Sequence, residues 1–471
     1  MPTKNALEVI KHTGGKLILG SLNSRYDCIE TDTRKAAGGA LFWAIKGQNF
    51  DGNDFVMDAA LKNFSGAVVS RISDSDISQI YSLKKDDFFV IEVDETIKAL
   101  ADLAKNHRKR LKAKVIAITG SSGKTTTKEM AASILKRVGR VVHADRSFNN
   151  EIGLPLTLLR ATPADDFIIL EMGARRKGDI SKLCEIAYPD IGAVTVIGPT
   201  HLEFLGSEEG VADAKAELLD FLREDGVACL FGGDRWFEHL RSKVNCRLIC
   251  YGFSEKCDVY GSDVQVGPDL MPSFNLVIGG KEKEIRLNIA GKHNAINALA
   301  ASSIARALDV SIEDIKVGLE ECTAPDMRSN LIWLKNDVCL IDDSYNANPI
   351  SSASSINMLV DIGGKRRKIA VLGDMLELGA ESDRYHYELG NIAARSGVDL
   401  VFSYGEHARD ICRGVADSDG SCCECRRFKN LDSLILELTK TIKPGDFILV
   451  KASRAMSFEN ISKAILRWDQ D

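Results

Sequence analysis

The stretch Ala117-Ile118-Thr119-Gly120-Ser121-Ser122-Gly123-Lys124-Thr125-Thr126-Thr127 decides the fold of this chain. It begins in an apolar run over residues 115–119 that reads as a strand. Met130, Ile134 and Val138 then recur on one face of a following helix, which Gly139 is expected to stop. Between strand and helix stand two glycines, a lysine and a run of hydroxyls. Glycines let backbone N–H groups converge on an oxyanion, and a helix start adds positive potential. Lys124 is placed to reach the outer phosphates of a nucleotide, and Thr125 to hold Mg²⁺. The common pattern G-x-x-x-x-G-K-[ST] would want glycine at 118, where this chain has Ile118, so the loop is the shorter G-x-x-G-K-T. An ordinary strand-to-helix turn is the competing reading; the conjunction of strand, glycines, lysine, threonines and helix weighs against it.

Outward from this loop, strand-like apolar runs alternate with helical periodicity. Runs at 167–171, 193–197, 369–372 and 447–450 repeat the pattern of 115–119. Such alternation predicts an α/β chain with largely parallel sheets. The 471 residues suggest about three domains. Hydrophobic residues make 45% and charged residues 27%, enough apolar material for several cores. With 61 basic against 67 acidic residues the net charge is −6, which argues against nucleic acid as a partner. No run approaches 18 apolar residues and no signal-peptide pattern opens the chain, so no membrane insertion and a cytoplasmic location are expected. There the 12 cysteines should stay reduced. Cys422, Cys423 and Cys425 lack the paired spacing of a metal site and read as part of a surface loop.

No low-complexity linker marks the boundaries, so they rest on motif positions. Lys105, Arg108, Lys109, Arg110, Lys112 and Lys114 precede the strand at 115–119. They read as a solvated helix face, or as a basic rim near an anionic ligand. A second boundary falls at 322–326, between a helix expected over 312–319 and a strand-like run at 331–334. The domains are therefore expected at 1–110, 111–323 and 324–471.

Other residues suggest chemistry on physical grounds. Glu171 ends an apolar strand, and the carboxyl end of a parallel strand faces the ligand crevice in such sheets, where a carboxylate can hold Mg²⁺. His201 follows Gly198-Pro199-Thr200 after another strand. Lys215 lies in a helical stretch and by itself reads as solvated. Asn294 and Asn297 are three apart, on one helix face, suited to an adenine edge or to capping.

Taken together, the segments resemble the Mur ligase family, whose wider superfamily includes folylpolyglutamate synthase. The short phosphate loop carries the resemblance first. Phe148-Asn149-Asn150-Glu151-Ile152-Gly153-Leu154-Pro155, Glu171-Met172-Gly173-Ala174, His201-Leu202-Glu203, Ala214-Lys215-Ala216-Glu217 and Gly291-Lys292-His293-Asn294-Ala295-Ile296-Asn297 follow in family order. Thr31-Asp32-Thr33-Arg34 and Lys46-Gly47-Gln48-Asn49-Phe50-Asp51-Gly52 look like a UDP-sugar-binding domain. Asp342-Asp343-Ser344-Tyr345-Asn346-Ala347-Asn348-Pro349 and Leu372-Gly373-Asp374-Met375-Leu376-Glu377-Leu378-Gly379 are similar to the members that add a D-alanyl-D-alanine dipeptide. Lys451-Ala452-Ser453-Arg454 resembles the family's Lys-Gly-Ser-Arg, with Ala452 in place of glycine.

The resemblance implies three α/β domains: a small N-terminal UDP-binding domain, a central phosphate-loop ATPase-like domain with a parallel sheet, and a Rossmann-like C-terminal domain. It implies an ATP- and Mg²⁺-dependent amide ligase, passing through an acyl phosphate in peptidoglycan precursor synthesis. The acceptor would be UDP-N-acetylmuramoyl-tripeptide and the amine D-Ala-D-Ala. Lys124, His201 and Lys215 would be catalytic, with Lys215 a candidate for carbamylation by CO₂. ATP would meet Gly120, Ser121, Ser122, Gly123, Lys124, Thr125, Thr126, Asn294, Asn297, Arg328 and Asp343. Thr125, Glu171 and His201 would hold metal. Thr33, Arg34, Gly47, Asp51, Asn149 and Asn150 would serve the UDP-sugar. Tyr345, Asn346, Asn348, Asp374, Glu377 and Arg454 would serve the dipeptide. A monomer is expected. The rivals are another ligase of the superfamily and a nucleotide switch or motor using the same loop.

Overall fold

A computed structural model describes residues 4–35, 38–47, 49–83, 85, 87–144, 147–267 and 270–470. The chain forms two compact units. The first holds Met1–Val115, Arg140–Met172 and Ser181–Pro189; the second holds Ile116–Gly139, Gly173–Ile180 and Asp190–Asp471.

The first unit opens with β1 (Lys16–Leu19), β2 (Cys28–Glu30), β3 (Ala40–Trp43), β4 (Gly66–Val69) and β5 (Phe89–Glu92), in sheet order β1-β5-β4-β3-β2. β2 to β5 are parallel, and β1 pairs antiparallel with β5. Because helices cover both faces, alternate side chains enter two different cores. Leu41, Trp43, Val68, Phe89 and Ile91 pack with Leu100 and Leu103 of the helix Thr96–Arg108. Phe42, Val69 and Val90 pack with Val56 and Phe64 on the other face. The Trp43 indole N–H is satisfied by the Thr96 carbonyl at 2.8 Å.

β6 (Lys114–Thr119) takes the chain into the second unit; β7 (Val141–His143) and β8 (Phe167–Glu171) form a parallel pair in the first. β9 (Ile191–Val194), β10 (Val227–Phe231), β11 (Arg247–Gly252), β12 (Val259–Val266), β13 (Pro272–Ile278) and β14 (Lys281–Arg286) follow. In the second unit β6 lies beside β9, then come β10, β11 and β12, all parallel, and the antiparallel β13 and β14. A further sheet contains β15 (Asn330–Trp333), β16 (Cys339–Asp342), β17 (Lys368–Gly373), β18 (Leu400–Tyr404), β19 (Glu424–Phe428) and β20 (Phe447–Lys451). Its order is β15-β16-β20-β17-β18-β19, with only β15 antiparallel. One core of the unit runs from Val194 and Leu230 through Ile341, Leu372 and Leu449, so it joins residues on both sides of position 324.

The α/β reading is borne out, with two shifts of element ends. The strand expected at 193–197 is Ile191–Val194, because the backbone at 195–196 leaves the sheet to bond the phosphate loop. The helix after that loop is Lys124–Leu135; residues 136–138 continue it as turns, and the Gly139 N–H still reaches the Leu135 carbonyl at 3.0 Å. The reduced state expected for all cysteines is corrected: Cys412 and Cys425 form a disulfide. The helix Ala408–Ala416 packs along β19 and brings their Cα atoms to 5.3 Å, within bridging range. Among the described residues no helix is long and apolar enough to cross a membrane.

Candidate active site

In open parallel sheets the ligand crevice lies beyond the carboxyl ends of the strands. The residues singled out in the second unit sit there: Gly120 after β6, Asp343 after β16, Asp374 after β17 and Arg454 after β20.

The loop after β6 can be built only with glycine at two positions. Gly120 has φ +140°, and a Cβ there would stand 2.0 Å from the Thr195 hydroxyl oxygen. Gly123 has φ +86°, and a Cβ would stand 2.2 Å from Asn297 Oδ1. Thr195 Oγ1 donates to the Ser122 carbonyl at 2.6 Å. Ser121 donates from its backbone to Val196 and from its hydroxyl to the Gly198 carbonyl, both at 2.8 Å. Lys124 curls onto the Gly120 carbonyl at 2.7 Å, and Thr125 and Thr126 are buried in the first turn of the helix. Asn294 and Asn297 are buried and linked at 2.8 Å, while Asn294 also donates to the Ala290 carbonyl at 2.7 Å. Asn297 thus backs the phosphate loop.

Lys215 is 1% exposed on the helix Glu208–Asp220 and donates to the Ala174 carbonyl at 3.4 Å. Burial, with Lys124 repelling it, pulls its ammonium down to about 7, although Glu217 and Asp179 oppose the shift. A lysine so placed carries a substantial share of neutral amine near neutral pH.

His201 begins a short turn at φ +54°. Its Nδ1 meets the Glu377 carboxylate, whose other oxygen meets Arg175. Burial lowers the imidazole pKa, and the Glu377 hydrogen bond opposes this in part. Glu377 itself stands at φ +64° in the loop after β17, and its carbonyl accepts from the Glu203 N–H at 3.2 Å. Asp374 in the same loop is buried, and its carboxylate accepts from the backbone N–H groups of Glu406 (2.8 Å) and His407 (3.1 Å). Both carboxylates of this loop are therefore engaged by protein groups.

The loop after β16 is tied to β20 and to the phosphate loop. Lys451, 3% exposed, donates to Asp343 at 2.5 Å and to the Asn346 carbonyl at 3.0 Å. Asp343 also accepts from Ser355 at 2.5 Å and from the Ser329 N–H at 3.1 Å. Asn348 caps the helix Pro349–Gly363, and its amide nitrogen donates to the Ser121 carbonyl at 3.2 Å. The Tyr345 ring lies under the Arg328 guanidinium at 4.2 Å, with Arg454 at 5.9 Å from the same ring. The Arg454 N–H donates to Asn346 Oδ1 at 3.3 Å. The structure thus gathers Tyr345, Asn346, Arg328 and Arg454.

In the first unit, Asn149 donates to the buried Glu171 carboxylate at 2.9 Å, and Asn150 accepts from the Gly153 N–H at 2.9 Å at the start of the helix Gly153–Arg160. Thr33 donates to Asp58 at 2.6 Å. Arg34 folds onto Asp32 with its side chain 84% exposed. Asp51 caps a 3₁₀ turn and pairs with Arg71 at 3.1 Å; the Gly47 N–H bonds the Phe50 carbonyl at 2.8 Å. Gln48 lies outside the described residues. A cavity of about 430 Å³ opens in this unit, with Thr31, Lys35, Arg110, Arg160, Glu8 and Glu30 among its walls; among the described residues Thr33, Arg34, Gly47, Asp51, Asn149 and Asn150 do not line it. Arg110 at this cavity pairs with Glu8 at 2.8 Å, whereas Arg108 bonds the carbonyls of Ala187 (2.9 Å) and Leu111 (3.1 Å).

Sequence reasoning missed Thr195, Arg175 and the role of Lys451. Thr195 and Arg175 carry no local signal, since each acts on a segment distant in the chain. Lys451 stood in a recognised segment, and its burial beside Asp343 became visible only with the sheet order.

Comparison with known proteins shows the family of the chain. The Mur ligase family, catalytic domain, matches residues 25–108; the Mur ligase middle domain matches 118–305; and the Mur ligase, glutamate ligase domain, matches 327–454. A Bacillus subtilis protein named UDP-N-acetylmuramoyl-tripeptide--D-alanyl-D-alanine ligase is 34% identical over 471 residues, 98% of each chain. An Escherichia coli protein of the same name is 34% identical over 446 residues, 93% of each. The crystal structure of MurF from Acinetobacter baumannii superposes with a TM-score of 0.85 at 29% identity, covering 99% of this chain and 100% of that one. MurF ligase from Thermotoga maritima in complex with ADP gives a TM-score of 0.78 at 27% identity, covering 94% and 98%. The phosphate loop, the strand-end residues and the full-length likeness lead to one statement: this chain belongs to the Mur ligase family and is an ATP-dependent ligase.

Proposed function

We propose that this ligase joins D-alanyl-D-alanine to UDP-N-acetylmuramoyl-tripeptide, in the synthesis of peptidoglycan precursor. The observation that carries the reading is the glycine-built phosphate loop with Lys124 at its end, backed by Asn297 and braced at Ser121 by Asn348 from the loop after β16. Such a loop suits a site that must gather anions. Chemistry supplies two of them, ATP and an acceptor carboxylate. The carboxylate attacks the γ-phosphorus and ADP leaves. The amine of the dipeptide attacks the resulting acyl phosphate. Phosphate then departs, and the amine loses a proton as the amide forms.

Gly120, Ser121, Ser122, Gly123, Thr125 and Thr126 are the candidates for the triphosphate; backbone N–H groups of residues 122–126 and Lys124 stabilise charge on the transferring phosphoryl, while the Ser121 N–H stays with the Val196 carbonyl. Asn294 and Asn297 lie behind that loop, and Arg328 and Asp343 are the further candidates for the nucleotide. Thr125, Glu171 and His201 are the candidate metal ligands, each on its own element. Hydroxyl and carboxylate oxygens suit Mg²⁺, and the imidazole is compatible with a divalent cation when one ring nitrogen is committed elsewhere, as Nδ1 is to Glu377. When bound, the ion neutralises charge on the phosphoryl oxygens. The neutral share of Lys215 supports its carbamylation, which requires an unprotonated amine.

For the dipeptide, Tyr345, Asn346 and Arg454 offer a ring, an amide and a guanidinium able to grip a carboxylate. Asn348 ties that segment to the phosphate loop, and Asp374 holds the neighbouring loop in shape. Thr33, Arg34, Gly47, Asp51, Asn149 and Asn150 are the candidates for the UDP-sugar. We place the enzyme in the cytoplasm as a monomer, with domains at 1–110, 111–323 and 324–471.

The test is to incubate the protein with ATP, Mg²⁺, D-Ala-D-Ala and UDP-tripeptides bearing either meso-diaminopimelate or lysine at the third position, then weigh the products. A product heavier than the acceptor by the dipeptide less one water is expected, with one phosphate released per ligation. Phosphate release that needs neither acceptor nor dipeptide would return the chain to the switch or motor class.

A further inference from the structure

The loop after β17 is held in place more firmly than a substrate loop requires. The Met375 N–H bonds the His386 ring at 2.8 Å, the Leu376 N–H bonds Ser453 Oγ at 2.9 Å, and the Glu377 carbonyl accepts from Glu203. A Cβ at Gly379, where φ is +58°, would stand 3.1 Å from the Glu203 Cα, so the loop lies flat on the turn at 201–203. Glu377 and His201 face each other across this contact, both in left-handed backbone conformations that L residues other than glycine rarely adopt. Non-glycine residues persist there only where the surroundings over-determine them, and such positions cluster at functional sites. The Glu377 side chain is 19% exposed and bridges Arg175 to His201 Nδ1. A carboxylate engaged on both oxygens is poorly placed to await an ammonium.

We propose that Glu377 is a positioning residue of the ligation: its carboxylate, steadied by Arg175, fixes the His201 ring as the Nδ1–H tautomer and so presents Nε2 as the ligating nitrogen. A histidine that binds metal through one nitrogen almost always donates from the other to a carboxylate or carbonyl, and this partner sets the tautomer and the ring orientation. The inference rests on reading His201 as a metal ligand. It removes Glu377 from the dipeptide's ammonium and makes it act through the imidazole.

The experiment compares the full-length wild type with Glu377→Ala, Glu377→Gln and Arg175→Ala, each checked for folding by thermal melting. The first readout is ring-nitrogen NMR of ¹⁵N-histidine-labelled protein without substrate or metal, with His201 assigned by His201→Ala among the eight histidines. Wild type, Glu377→Gln and Arg175→Ala should show the Nδ1–H form, since an acceptor oxygen remains. Glu377→Ala should show a mixture or the Nε2–H form. The second readout is kinetic. Glu377→Ala should lower kcat by roughly 10- to 100-fold, the usual loss for such a partner, with KM for D-Ala-D-Ala changed less than about twofold, and Glu377→Gln should recover most of the rate. An unchanged tautomer in folded Glu377→Ala overturns the proposal. So does a tenfold or greater rise in dipeptide KM at near-normal kcat, which would mark an ammonium subsite. If Glu377→Ala does not fold, Glu377→Gln decides: loss of the Nδ1–H form, or a failure to keep the rate, counts against the proposal. The ring measurement needs no substrate, so it stands apart from any failure of the substrate assignment.

Discussion

Lys215 shows what burial does to one side chain. An ammonium with 1% exposure and Lys124 nearby is pulled from 10.5 to about 7. Carbamylation consumes the neutral form: R–NH₂ and CO₂ give R–NHCOO⁻ and a proton. Protein stripped of CO₂ should lose most ligase activity and regain it with bicarbonate, and the bicarbonate needed should fall as pH is raised through about 7. Lys215→Ala should be inactive at every bicarbonate level; activity indifferent to CO₂ in the wild type would sink the carbamate assignment. The sign for stability follows from proton counts. Between about 7 and 10.5 the unfolded chain binds the proton that the folded chain has lost. In CO₂-free buffer this lysine's contribution therefore grows more favourable as pH rises over that window, and a melting series against Lys215→Met measures it. Arg34 is the opposite case, 84% exposed and folded onto Asp32. Arg34→Ala should raise KM for the UDP-tripeptide, leave KM for ATP nearly unchanged and leave Tm unmoved. A selective rise in KM for ATP would transfer the role of this segment to the nucleotide.

At the scale of elements, the loop between β6 and its helix makes the sharpest demand on sequence. Gly123→Ala forces a side chain into φ +86° and against Asn297 Oδ1. The backbone strain alone costs about 1–3 kcal/mol, so Tm should fall and ATP binding measured by calorimetry should be lost. Adding Asn297→Ala should restore part of the Tm, because it clears the clash and leaves the φ. Full restoration would mean that strain was negligible. This loop was legible from residues alone, since two glycines, a lysine and hydroxyls between a strand and a helix together weigh for an anion cradle over an ordinary turn. So were the strands at 167–171 and 447–450, whose apolar runs are buried on both faces. Where contacts are distant in sequence, legibility ended. Glu377 could be read as a carboxylate after a strand, yet Arg175 lies 202 positions away and gives no sign of being its partner. Asn348 read as a ligand residue also turned out to cap a helix and brace Ser121, two tasks that only the folded chain displays.

At the scale of the molecule, the core that joins Val194 and Leu230 to Ile341 and Leu449 makes residues on the two sides of position 324 depend on one another. A fragment ending at residue 323 should therefore expose apolar surface, seen as dye binding and self-association, and should regain solubility and activity when co-expressed with 324–471. A well-behaved monomeric fragment would show that the shared core matters little. The Cys412–Cys425 bridge closes a loop with a sequence separation of 13. Its loss by Cys412→Ser should cost up to about 3 kcal/mol, read as a lower Tm that reductant also produces in the wild type. The crowding at Gly120 and Gly123 carries a different implication. A cell under pressure from an inhibitor usually escapes by placing a bulkier residue where the compound rests. At these two positions any added side chain meets Thr195 or Asn297 and a disfavoured backbone, so a compound whose affinity came from contact with that stretch of main chain would leave the organism little room for resistance there.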